Sequence, residues 1–93
     1  MKATVEGRVI ADSDDIVECD GYHYFPRNAV HLGWLEKTAK TLSDLECPHG
    51  VQFYDVVIEG RRHARAAWNY EAPRPSMARV AHRFGFWEDV QVA

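Results

Sequence analysis

Several features by which small proteins are often classified are missing from this chain. Of its 93 residues only Cys19 and Cys47 are cysteines. Two thiols are too few for a disulfide scaffold, although a single bridge between them stays open. No CxxC pair occurs, which excludes a four-thiolate zinc site within one chain. There is no GxxxxGK[ST] loop to cradle phosphates and no paired-aspartate metal motif preceded by Gly-Ser. No run approaches the ~20 apolar residues of a membrane-spanning helix. The opening, Met1-Lys2-Ala3-Thr4-Val5-Glu6, has no apolar stretch of the kind a signal peptide needs. A basic excess is missing too: the formal charge is -3, whereas a general nucleic-acid binder is usually basic. The resulting expectation is a cytoplasmic protein with no membrane or nucleic-acid partner and no cofactor.

What is present fits one small domain, residues 1–93, with 46% hydrophobic residues and mixed charges. A chain of this size buries roughly 60–65% of its unfolded surface, enough for a modest core without staples. The organising stretch is Cys47-Pro48-His49-Gly50 running into Val51-Gln52-Phe53-Tyr54-Asp55-Val56-Val57-Ile58. Those last eight residues are rich in β-branched and aromatic side chains and end at the Glu59-Gly60 turn. Apolar groups on both alternating faces predict a central strand covered on both sides. Before it, Thr4–Ala11 reads as a strand bent at Gly7. Ile16–Cys19 and Tyr22–Phe25 read as strands joined by an Asp20-Gly21 hairpin, continuing a meander. Pro26–Leu32 suits one helical turn closed by Gly33, and Trp34–Thr38 a short strand. Residues 39–46 fit either a helical turn or a loop. Arg61–Tyr70 returns antiparallel to the central strand. Ser76 suits the N-cap of a short helix over Met77–His82, and Phe84–Trp87 and Val90–Val92 supply the last strands.

Taken in order, these pieces resemble the bacterial family called DUF427, nominally labelled nucleotidyltransferase-like. The resemblance runs over nearly the whole chain: strand-turn-strand at Lys2–Glu18, Tyr24-Phe25-Pro26, Cys47-Pro48, Ala67-Trp68-Asn69-Tyr70, and Phe84-Gly85-Phe86-Trp87 followed by Asp89-Val90. Two departures stand out. His49-Gly50 replaces a lysine-glycine and is one residue shorter, and Tyr70-Glu71-Ala72-Pro73 replaces Tyr-Pro-Glu-Pro. The resemblance implies a mainly β fold, a small antiparallel barrel or tent-like sheet with one or two short helices. It implies no particular substrate, and the missing phosphate loop gives the transferase label no support.

Two sets of residues can carry chemistry. Cys47 and His49 lie two positions apart, and in an extended segment the imidazole could take the thiol's proton to make a nucleophile. The alternative is a buried small hydrophobe beside a surface turn residue. The five histidines, at 23, 31, 49, 63 and 82, form no metal-ligand spacing, so no metal site is predicted. The aromatic residues are the fuller clue. Tyr24, Tyr54, Trp68 and Tyr70 can line a pocket for a small molecule, with Arg65 or Arg74 supplying charge. The same rings could instead fill the core. Three roles therefore stand side by side: small-molecule binding, a small enzyme using Cys47/His49 or a pocket tyrosine, and an interaction module, including a homo-oligomer, meeting partners through a sheet edge or aromatic patch.

Overall fold

Two-residue turns set the first half of the chain. In the computed structural model, which describes residues 1–93, Glu6 and Gly7 have φ of 53° and 73°. Two successive residues at positive φ make the tight turn whose twist matches right-handed strands. It folds β1 (Lys2–Val5) onto β2 (Arg8–Asp12). The single bent strand expected over Thr4–Ala11 is therefore two strands, because Glu6 joins Gly7 in the left-handed region. Asp20 and Gly21, at 52° and 84°, close the same kind of turn between β3 (Val17–Cys19) and β4 (Tyr22–Tyr24), as the dipeptide predicts. β2 does not pair with β3, so the opening is two hairpins and not a meander.

After Pro26 the chain makes two 3-10 turns, Arg27–Ala29 and Leu32–Trp34. Gly33 sits inside the second and does not cap the first. β5 (Leu35–Lys37) follows, and residues 39–46 resolve into α1 (Leu42–Leu45). A four-residue helix has almost no stability of its own, so its ends decide whether it forms. Here Thr41 Oγ1 accepts from the Asp44 amide at 3.2 Å and Asp44 Oδ2 accepts from the Thr41 amide at 3.0 Å, a reciprocal capping box.

β6 (Val51–Ile58) and β7 (Arg61–Tyr70) are the two longest strands and pair antiparallel through the expected Glu59-Gly60 turn. Beyond them the predicted helix is a 3-10 segment, Pro75–Val80, that starts earlier than expected. Pro75 occupies its first turn, where a missing N–H costs nothing, and Ser76 makes no capping bond. β8 (Gly85–Phe86) and β9 (Gln91–Val92) complete the chain.

The mainly β expectation holds, with three antiparallel sheets in place of one closed barrel: β2-β1-β9, β3-β4 and β5-β6-β7-β8. β6 is central in the largest. Its two faces are covered unequally: Gln52, Tyr54, Val56 and Ile58 are buried, while Phe53, Asp55 and Val57 are half-buried. The main core lies on the sealed face, where Val56, Ile58, Ala67 and Phe86 meet Ala3, Val5, Ile10, Phe25 and Phe84. Ile10 is the extra residue of a bulge in β2, and so both it and Ala11 are buried although they are neighbours in sequence. On the other face Cys19, Tyr24, Val51, Trp68 and Val80 form a second, smaller cluster. No helix is long and apolar enough to cross a membrane.

A charged clamp ties the first sheet to the largest one. His63 on β7 bonds Glu6 at 2.6 Å through Nε2 and Asp89 at 2.9 Å through Nδ1, and Arg61 also bonds Glu6. The two carboxylates raise the His63 pKa above its ordinary 6.5, the bond to Glu6 contributing most. The clamp's stabilisation is therefore complete below pH 6.5 while its carboxylates stay ionised, and declines as pH rises through the raised native value. Denaturant melts across this range should show that decline in the wild type and a flatter limb in His63→Gln. Parallel limbs would show that the clamp does not couple to folding.

Candidate functional site

The half-covered face of the large sheet holds most of the expected site residues, and an ion pair with one buried partner braces it. β7 carries extra residues opposite Asp55: Tyr54 pairs with Ala67 and Val56 with His63. In this bulge Arg65 adopts φ 52°, a conformation rare for a side chain of its size. Its amide donates to Asp55 Oδ1 at 2.9 Å, which holds the turn. The Arg65 Nη atoms bond both oxygens of Asp44 at 3.0 and 2.8 Å, and the guanidinium lies 4.0 Å from the Phe53 ring centroid. Asp44 is 4% exposed. Arg65, followed by the amide of Thr41, lowers its pKa to about 2 although burial opposes ionisation. Arg65, expected to supply charge to a ligand, is thus already neutralised by a carboxylate and works as a strut between α1 and the sheet.

Strand register then assembles the rings. Phe53 pairs with Trp68 and Trp68 with Gly85, so these three share one face. Trp68 is 4% exposed and forms the floor. Around it, Tyr22 meets it edge-on at 5.1 Å, Trp87 at 5.2 Å and Tyr24 at 5.9 Å between centroids. Phe53 stacks on Trp87 at 5.8 Å. Trp87 is held by its indole N–H, which donates to the Arg65 carbonyl at 2.6 Å. Tyr22 is 40% exposed, and Phe53 and Trp87 are half-buried, so this ring set reaches the surface. Gly85 is required by close approach: a Cβ there would sit 2.6 Å from the Trp68 ring. Gly85→Ala should cost about 1–3 kcal/mol in a denaturant melt, as overpacking does. An unchanged midpoint would mean that the ring can retreat from the backbone.

Three of the four expected lining residues gather here, and one does not. Tyr24 is buried, and burial, followed by the Tyr70 hydroxyl, raises its pKa well above the usual phenol range. Tyr70 lies 6.3 Å from Tyr24 on the same face. Tyr54 belongs to the opposite face, packed on Phe84 at 5.4 Å within the main core. Side chains alternate along a strand, so Tyr54 and its neighbour Phe53 cannot both face the rings.

Cys47 and His49 sit in a turn, not in an extended segment. The Gly50 amide donates to the Cys47 carbonyl at 3.3 Å, and Gly50 has φ 66°. Both cysteines are free thiols. Cys47 packs beside the second cluster with Met77 and Tyr70, and buried Cys19 directs its thiol to Met77 sulfur at 3.6 Å. His49 Nδ1 accepts the Arg74 amide at 3.0 Å, and no hydrogen bond joins the imidazole to Cys47. Arg74 thus meets this region through its backbone. The two departures from the family pattern lie against each other: the amides of Glu71 and Ala72 donate to the carbonyls of Gly50 and His49 at 2.9 and 3.1 Å. Glu71 in turn bonds Lys40 at 2.9 Å and Lys37 at 3.5 Å.

Asp44, Tyr22, Phe53 and Trp87 were not among the expected site residues. Asp44 carried a usable signal, since Thr41-x-x-Asp44 is a capping-box spacing. Tyr22 directly follows the Asp20-Gly21 turn, and Phe53 shares the parity of Val51 on β6. Only the order of pairing places them beside Trp68.

The model of the domain of unknown function DUF427 matches residues 1–93, the whole chain. The chain belongs to that family. No curated protein matches it. The motifs of this DUF427 domain now have places: Tyr24 and Trp68-x-Tyr70 meet in the second cluster while Phe25 enters the main core, Cys47-Pro48 forms the turn at the cluster's margin, and Trp87 packs against it. The structure brings together no group of three or more His, Cys, Asp or Glu side chains able to hold a metal.

Proposed function

We propose that this DUF427 domain is a non-covalent binding module that takes a flat, largely apolar small molecule on the open ring face of its large sheet. The observation that carries the reading is the set Tyr22, Phe53 and Trp87, which keep aromatic surface at the solvent around a buried Trp68. Aromatic surface gathered at the solvent, one ring exposed and two half-buried, suits a contact surface. Rings on a rigid sheet offer stacking area with little entropy to lose. Tyr70 and His49, 5.8 Å apart between centroids, stand at the rim as hydrogen-bonding groups. His49 Nδ1 accepts a backbone amide, so the neutral ring carries its proton on Nε2 and can donate from there.

Catalysis through Cys47 and His49 draws less from the geometry, because the Nδ1 that would serve as base is already engaged. Titrating the protein with quinoline while following tryptophan emission tests the binding reading. Saturable quenching is expected, weakened about tenfold in Tyr22→Ala, which removes the most exposed ring of the set. Non-saturable quenching, or equal affinity in the variant, would count against it.

A further inference from the structure

A second place on the molecule, away from the ring face, has the chemistry of a ligand site. The 3-10 turn after Pro26 and the residues leading into β8 line a shallow, open hollow of about 540 Å³. That is within the usual size of small-molecule sites, roughly 300–1,000 Å³. Its polar wall is Arg27, Asn28, His82 and Arg83, its apolar wall includes Leu32 and Pro26, and no carboxylate lines it. In a chain of net charge -3 this is a local concentration of cationic and donor groups.

The two arginines play different parts. Arg83 is fixed: Nη1 donates to the Asp15 carbonyl at 2.9 Å and Nη2 to Asp15 Oδ1 at 3.0 Å. Asp15 offsets part of its charge from outside the hollow, and the guanidinium keeps unused N–H donors. Arg27 is exposed and forms no salt bridge, so its fork is free for an incoming anion. His82 holds φ 63°, a left-handed backbone that a histidine adopts at a cost. The Arg83 amide, bonded to the Val80 carbonyl at 3.1 Å, and the Phe25–Phe84 bridge pin this segment on both sides.

We infer that this hollow binds a small organic anion, a phosphate monoester or a carboxylate, with Arg27 and Arg83 forking its oxygens and its apolar body against Leu32 and Pro26. Guanidinium groups pair with planar or tetrahedral oxyanions through two parallel bonds. The apolar wall selects for an anion with a carbon body over a bare ion.

Amide NMR titrations at low salt with phenyl phosphate, phenylacetate and inorganic phosphate test this. Phenyl phosphate or phenylacetate should move the Arg27, Asn28 and His82 amides in a saturable way, and the stronger of the two names the head group. Inorganic phosphate should bind about tenfold more weakly than phenyl phosphate. Arg27→Gln, at an exposed position, should weaken the stronger probe about tenfold while leaving the melt unchanged. His82→Gly, which suits the left-handed backbone, should keep or raise stability and still weaken binding. Leu32→Ala should weaken phenyl phosphate and leave inorganic phosphate unaffected. Amides that do not move with any probe, or equal binding by wild type and Arg27→Gln, would overturn the inference.

Discussion

Trp68→Ala is expected to destabilise the protein by about 3–5 kcal/mol, the range for emptying a buried large aromatic site. For a domain whose whole stability is of the order of 5–15 kcal/mol, that leaves a protein close to unfolding. The reason is local. Trp68 is 4% exposed and touches Tyr22, Tyr24 and Trp87 edge-on, while Gly85 closes against its ring. None of these neighbours can collapse into the space, because three are held on separate strands or turns and the fourth has no side chain. Trp68→Phe, which keeps part of the edge contacts, should lose roughly half as much. Urea melts of the three proteins at one pH measure this. A loss under about 1 kcal/mol for Trp68→Ala would mean that the indole lines space instead of filling it.

The second large effect falls on Asp44. Breaking a buried ion pair by removing one partner costs about 3–5 kcal/mol. Asp44→Ala should cost less, about 2–3 kcal/mol, because Arg65 is 35% exposed and regains water when its partner goes. The side chain also caps α1, so Thr41→Ala should cost about 1 kcal/mol alone and less in the Asp44→Ala background. Arg65→Gly is the informative partner, since glycine accepts φ 52° and keeps the backbone amide that bonds Asp55 while the side chain is lost. The two variants should be non-additive by more than about 0.5 kcal/mol. The acid limb gives a second reading. With its pKa lowered from 3.8 to about 2, Asp44 contributes stability above 3.8 that is lost as pH falls through about 2. Glu6, Asp55 and Glu71 are shifted the same way, so Asp44→Asn should flatten that limb without abolishing it. Additive variants and an unchanged acid limb would remove the strut from the account.

Much of this architecture is legible in the residues. The eight residues of β6 stand where their β-branched and aromatic composition puts them, and Asp20-Gly21 and Glu59-Gly60 turn the chain as written. Glu6-Gly7 is the same dipeptide as Glu59-Gly60 and makes the same turn, but it lies inside one short run, Thr4–Ala11, that reads as a single bent strand. The helix expected over Met77–His82 was displaced by Pro75, whose fixed φ starts the turn earlier. The candidate site is less legible, for a geometrical reason. Tyr24, Trp68 and Tyr70 belong together, but which of Phe53 and Tyr54 joins them depends on strand parity relative to Trp68 and on the bulge at Arg65. One bulge changes the register on either side of it, and no single residue of β7 marks its place. Arg65 looked like a free charge because Asp44 is 21 positions away and reaches it through a four-residue helix.

The Tyr22, Phe53 and Trp87 face is proposed to receive a flat ligand. The most direct test is a crystal structure of the protein soaked with quinoline. The account predicts ring density lying against Tyr22 and Trp87, with Trp68 unmoved beneath and a polar contact toward Tyr70 or His49. Quinoline bound only in the hollow beside Arg27, or nowhere on the ring face, would contradict it.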